Sequence, residues 1–342
     1  MISPWVFEFF HELTDPEPST DRHAIRAHFE WYLDLWAKME PRGFEGIFFS
    51  EHHFGAGYSP SPNLAIAAMA GRTSTLRLGS LGAVSTHTTP WRVAEEFAML
   101  DHLTSGRLEM GVVAGIPPEQ IAIGQSPADA YARHEEVCDV LEQSLGGPVV
   151  THHGTNWNID NLRLTPTYFQ ESPSVWTAVR SSESSERAAR RGWKAVAGFA
   201  STKDVSEFFD RYRAAAEDTG HSTESSQLGI RRLVTFVDDP NDQAAGVQAG
   251  KRHLLDKLNQ SVGPLPPFAA VLDKPSDPMD GPLSNDEFIA GTPVQVAEQL
   301  IHQCRAVGAA HAIVMFGVTD PDGTERHHQL FSEHVIPALR KA

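Results

Sequence analysis

The stretch from Gly43 to Gly115 constrains this chain more than any other. It holds three short apolar runs, Gly46–Ser50, Leu76–Val84 and Leu108–Ala114, none with clean polar alternation. Runs of that kind suit strands covered on both faces, as in a parallel sheet. Between them lie Leu64–Thr73 and Trp91–Leu103, where apolar residues recur at helical spacing among Ala, Glu, Met and Leu. Strand–helix–strand–helix–strand is the unit of an α/β fold. Polar residues collect where the strands end: Glu51, His52 and His53 after the first run, Ser85, Thr86 and His87 after the second. Parallel α/β proteins bind ligands at the carboxyl ends of their strands, so chemistry is expected there.

The pattern extends in both directions. Trp5–Phe10 reads as a strand and His23–Met39 as a helix. Phe54–Asn63 is a loop rich in Gly, Ser and Pro, with Asn63 placed to cap the next helix. A connection, Ile116–Pro127, leads to a helix over Ala128–Leu145 and a hairpin-like excursion, Val149–Leu164, with turn residues Gly154 and Asn161. Ser174–Val179, Lys194–Phe199, Gln227–Val237 and Ala312–Phe316 read as further strands. Helices are expected at Glu186–Arg191, Val205–Asp218, Pro293–Val307 and His327–Leu339. Eight strand candidates alternating with helices predict a (β/α)8 TIM barrel, a single domain over residues 1–342. Residues 241–291 break the rhythm, with six prolines between Ser261 and Pro282. A connection so long and so interrupted predicts a lid-like insertion after the seventh strand.

The formal net charge is −16, from 44 acidic residues against 28 Lys and Arg. Clustered cations are what nucleic acid and anionic membranes require, so neither is an expected partner. Cys138 and Cys304, the only two cysteines, offer neither a disulfide framework nor metal-ligand spacing and read as buried thiols. The N-terminal MISPWVFEFFHELTDPEP has no basic region and does not read as a signal peptide. No apolar run approaches the roughly 20 residues of a spanning helix. A soluble, cytoplasmic protein is expected.

Glu51-His52-His53 is the most chemical cluster. Successive side chains on a strand take opposite faces, so one histidine faces the site and the other packs. The functional role open to such a residue is general acid or base, since imidazole titrates near neutral pH; the structural role is a hydrogen bond in the core. Glu51 and His87 with one of these histidines supply potential metal ligands, but no H-x-H or H-E-x-x-H spacing occurs, and no metal is expected. The pairs His152-His153 and His327-His328 are expected at the surface. Arg180 and Ser181–Ser185 precede a helix, where hydroxyls and unpaired N–H groups either cap the helix or receive an anion. No G-x-G-x-x-G, P-loop or G-x-S-x-G motif occurs.

Taken together, GFEGIFFSEHHF, LRLGSLGAV, TPWRVAEEFAMLDHLTSGRLEMGVVAG and GTPVQVAEQL resemble the bacterial luciferase-like flavin monooxygenase family. The resemblance is dense over Gly43–Gly115 and returns at Gly291–Leu300. It implies a TIM barrel that uses reduced FMN, delivered by a separate flavin reductase, and O2. A flavin C4a-peroxide would then oxygenate a small organic substrate. It places the catalytic histidine at His52, and the backbone shelf for the flavin ring at Ser80, Leu81 and Gly82, with a non-proline cis peptide at Leu81–Gly82. The phosphate-binding turn falls on Arg180, Ser181, Ser182 and Ser184. Phe7, Phe9, Phe54 and Tyr58 are candidates for an apolar substrate wall or for core, with Glu51 and His87 beside the substrate. One departure is Ala114, where some members carry a phosphate-binding arginine. The deazaflavin F420, which transfers hydride, is the alternative cofactor, and a non-catalytic flavin-binding subunit a further alternative. A homodimer is expected.

Overall fold

The computed structural model describes residues 1–10, 19–55, 57–262, 285–318 and 320–342. The chain opens with β1 (Ser3–Glu8), α1 (Arg22–Ala37), β2 (Gly46–Phe49), α2 (Pro62–Ala70), β3 (Arg77–Ser80) and the short β4 (Ala83–Val84). It continues through α3 (Pro90–Leu103), β5 (Leu108–Val113), α4 (Pro117–Ala122) and α5 (Pro127–Gly146) to a hairpin of β6 (Val149–His153) and β7 (Asn158–Arg163). Then follow β8 (Val175–Val179), α6 (Ser182–Arg190), β9 (Lys194–Ala197), α7 (Thr202–Thr219), β10 (Leu228–Phe236) and α8 (Gln243–Val262). The last part is β11 (Phe288–Gly291), α9 (Pro293–Val307), β12 (His311–Phe316), α10 (Pro321–Leu330) and α11 (Ile336–Lys341).

β1, β2, β3, β5, β8, β9, β10 and β12 pair in that order, all parallel, and β12 returns to β1. The closed (β/α)8 barrel expected from the sequence is therefore present, and closure leaves no barrel strand with an unpaired edge. Alternation along each strand sorts the apolar residues into two cores. Val6, Ile47, Phe49, Val234 and Val314 face the helical layer. Trp5, Phe7, Phe9, Phe48, Leu81, Trp176, Leu233, Ile313 and Met315 fill the interior. Trp5 stacks on Phe48 at 4.8 Å and Phe48 meets Trp176 edge-on at 5.3 Å, so the interior is solid. Gly46 makes this possible: a Cβ there would overlap the Trp5 ring.

Several expectations need correction. The run Leu76–Val84 is not one strand; β3 and β4 are separated at Leu81–Gly82, whose peptide bond is cis. Ser61, not Asn63, precedes α2, and the Asn63 side chain instead donates to Glu96 at 2.9 Å. Asn161 is not a turn residue but sits within β7, at a register shift opposite Val150–His152, with φ 49°. The helix expected to start at Glu186 starts at Ser182, because Ser181 caps it. His327 and His328 are buried rather than on the surface, and His327 Nε2 accepts the Phe236 N–H at 3.0 Å. Of the 241–291 insertion, the beginning is α8 and the end is β11, a buried strand that pairs with β10 from Leu233 onward, beyond the last β9 partner at Ile230. Its proline-rich middle, 263–284, lies outside the described residues.

Candidate active site

The carboxyl end of β2 runs into a loop closed on itself: Ser50 N donates to the Glu8 carbonyl at 3.0 Å and His52 N to the Ser59 carbonyl at 3.1 Å. The two adjacent histidines then diverge. The His52 ring stacks on Phe9, centroids 5.2 Å apart, and its Nδ1 lies 3.3 Å from Glu119 Oε1. That oxygen also accepts the His53 backbone N–H at 3.0 Å. The His53 ring turns to Glu51, its Nε2 2.9 Å from Glu51 Oε1, and meets His87 edge-on with centroids 4.9 Å apart.

Glu51 ties this cluster to the flavin-shelf segment expected from the sequence. Its Oε2 accepts the Val84 N–H at 2.9 Å, two residues beyond the cis bond, while Oε1 faces His53 and, at 3.9 Å, His87 Nδ1. The hydrogen bond from Glu51 raises the His53 pKa, against the opposing effect of burial. Burial lowers the His87 pKa, and the neighbouring His53 adds to that. Among the described residues Glu51, His53 and His87 each place one potential metal-ligating atom within 4.8 Å of the others. Glu51 is hydrogen-bonded to His53 and to the Val84 N–H, whereas His87 Nδ1 stands 3.9 Å from Glu51 and, among the described residues, its buried Nε2 has no hydrogen-bond partner.

The remaining expected residues divide. Leu81 belongs to the interior cluster beside Phe7 and Phe9. Ser80 does not offer its side chain to a ligand: the hydroxyl is buried, donates to the Gly111 carbonyl at 2.8 Å and accepts the Gly111 N–H at 3.1 Å. Tyr58 is not on the interior wall; it packs on Phe10, His28 and Phe29 on the helical side. Phe54 is half exposed at the rim, 50% accessible, with its ring centroid 5.5 Å from that of His53.

At the carboxyl end of β8, Ser181 and Ser184 form a reciprocal cap. Ser181 Oγ accepts the Ser184 N–H at 3.2 Å, and Ser184 Oγ accepts the N–H groups of Arg180 and Ser181 at 3.1 and 3.0 Å. Capping, one of the two readings open from the sequence, is thus realised. Beside it, among the described residues, the Arg180 guanidinium has no ion-pair partner. The residue is exposed, yet the protein around the guanidinium desolvates it enough to lower its pKa. A partly desolvated cation that, among the described residues, has no counter-charge, one residue before the cap of α6, fits a phosphate group. The Ala114 carbonyl accepts Gln120 Nε2 at 2.7 Å and Thr86 Oγ1 at 3.1 Å.

Glu119 is the residue the sequence reading missed. It stands at the third position of α4, inside what reads as a plain connection. A signal was present: Pro117-Pro118 can open a helix, and an acidic residue stands in its first turn, a short connection past a strand end.

Residues 9–311 match the family of luciferase-like monooxygenases. An uncharacterized protein of Sinorhizobium fredii is 36% identical over 317 residues, covering 89% of each chain. Limonene 1,2-monooxygenase of Rhodococcus erythropolis is 25% identical over 315 residues, covering 89% of this chain and 80% of its own. A monooxygenase from Streptomyces bottropensis superposes with a TM-score of 0.82 at 23% identity, over 100% of both chains. The oxygenating constituent of 3,6-diketocamphane monooxygenase from Pseudomonas putida, in complex with FMN, gives 0.77 at 20% identity, over 99% of this chain and 98% of its own. An F420-dependent secondary alcohol dehydrogenase gives 0.76 at 17% identity, over 99% of both chains.

Proposed function

The chain belongs to the luciferase-like monooxygenase family, and we propose that within it the protein uses reduced FMN and O2 to oxygenate a small apolar or aromatic substrate. The observation that carries this reading is the placing of His52: an imidazole at the carboxyl end of the barrel, stacked on interior Phe9 and hydrogen-bonded through Nδ1. Reduced flavin supplies the two electrons that activate oxygen. The protein's share is to bind, to exclude water and to move a proton. Leu81 and Gly82 present backbone for the ring, Arg180 and the Ser182 N–H hold the phosphate, and Phe7, Phe9 and Met315 keep the interior apolar. His52 is the proton-transfer group, and His87 and Glu51 support the floor beside it. A separate flavin reductase delivers the cofactor.

F420-dependent hydride transfer is the second reading, favoured by Ala114 and by structural similarity to an F420 enzyme nearly equal to that with the FMN-bound one. Anaerobic titration with reduced FMN, then mixing with aerated buffer, separates the two. Tight binding and flavin reoxidation much slower than that of free reduced FMN support oxygen activation. Binding of F420 without binding of reduced FMN would overturn it. His52→Ala should then abolish substrate turnover while leaving reduced-FMN affinity near wild type.

A further inference from the structure

Glu119 is wholly buried, at 0% exposure, and its two oxygens are unequally served. Oε1 takes the His53 backbone N–H at 3.0 Å and the His52 imidazole at 3.3 Å. Oε2 is shut away from solvent and, among the described residues, has no hydrogen-bond partner. Among the described residues no Arg or Lys forms an ion pair with Glu119, and the ionisable group it meets is His52. A buried carboxylate with a vacant oxygen and no fixed cation is costly unless a proton is close by.

From this geometry we propose that Glu119 is the positioning residue of the His52 site, and that the two side chains act as one unit sharing a proton. The proposal rests on the assignment of His52 as the proton-transfer group. With Nδ1–H donated to Glu119, the basic lone pair lies on Nε2, which sets the tautomer. When Nε2 takes up a proton from the reacting centre, the imidazolium formed is balanced by the carboxylate at its back. When it returns that proton, to the oxygen atom that leaves as water, the pair reverts to neutral imidazole and carboxylate. The second hydrogen bond, from His53 N, fixes the carboxylate to the backbone of the same loop, so ring and carboxylate keep their register.

The placement also separates two roles in one triplet of residues. His53 and Glu51 form a cluster that reaches Val84 and His87, whereas His52 and Glu119 form a pair reaching across from the carboxyl end of β2 to α4. Only the second pair contains a ring stacked on the barrel interior.

The test reads the tautomer directly, by 15N NMR of the histidine ring nitrogens in flavin-free protein, with His52 assigned by its loss in His52→Asn. Wild type is expected to show His52 protonated at Nδ1 and bare at Nε2 above neutral pH; the reverse pattern overturns the proposal without any variant. In Glu119→Gln, which keeps an acceptor for His53 N, mixed tautomers are expected. Turnover on an accepted substrate should fall about 10- to 100-fold, in kcat rather than KM, with a changed pH profile and reduced-FMN affinity within about threefold of wild type. An unchanged tautomer together with an unchanged pH profile would also refute the idea. Failure to bind reduced FMN would sink the flavin assignment and leave the tautomer result standing, so the two failures are distinguishable.

Discussion

Replacing Glu51 by glutamine should weaken the protein most at acid pH, and the structure sets the size. Glu51 Oε1 meets His53 Nε2 at 2.9 Å, and the side chains are 11% and 20% exposed. The His53 pKa is raised, chiefly by this bond. A raised histidine pKa adds stability that is fully present below the unfolded value of about 6.5 and is lost as pH rises through the folded value. With His53 charged, the contact is a charge-assisted hydrogen bond of about 1.5–3 kcal/mol; with it neutral, about 0.5–1.5 kcal/mol. Both side chains retain some solvent, so the lower ends apply. Glutamine can still accept the Val84 N–H but brings no charge. The deficit of Glu51→Gln should therefore be about 1 kcal/mol larger near pH 5.5 than near pH 9. His87, whose pKa burial lowers, works the other way in both proteins, since stability is lost as protons bind the unfolded form alone. Taking the difference between the two proteins largely cancels it. Urea unfolding at both pH values measures the gap. An equal deficit at the two would refute a charge-assisted bond between His53 and Glu51.

Two further outcomes are expected. Arg180→Ala should weaken FMN by about 10- to 100-fold, the worth of a hydrogen bond between charged groups, while leaving riboflavin, which lacks the phosphate, almost unaffected in equilibrium titration. Equal losses for both ligands would move the phosphate elsewhere. A homodimer, expected from the resemblance, would draw on α2 and α3, which carry Leu64, Met99 and Leu103 at 73%, 53% and 55% exposure. Exposed apolar residues on neighbouring helices suit a second copy of the chain. Leu64→Glu with Met99→Glu should give a species of 37.5 kDa in light scattering where the parent gives twice that mass; identical masses would remove this face from the interface.

The position of His52 shows how far a local reading reaches. Strand alternation predicted that neighbouring histidines separate, and they do, His52 to Phe9 and His53 to Glu51, although both stand in the loop beyond β2, where the turn of the loop and not the pleat divides them. Which carboxylate stands behind His52 was beyond such a reading, because Glu119 is 67 residues away and α4 has no amphipathic stripe long enough to announce it. Where the Ser80 hydroxyl and the Tyr58 ring settle was open for a related reason. The chemistry of a hydroxyl or a phenol does not say which neighbour it meets, and Gly111 and Phe10 took them into the sheet and the outer core.

The sequence by itself determined the closed barrel and the gathering of polar residues at the carboxyl ends of its strands. Apolar runs covered on both faces admit few arrangements, and polar residues at strand ends have only the rim to occupy. The tertiary structure alone decided the pairing of Glu119 with His52, the burial of His327 and His328, and the strand Phe288–Gly291 beside β10. Periodicity records that a side chain faces a neighbour; which neighbour arrives is settled by packing between segments distant along the chain.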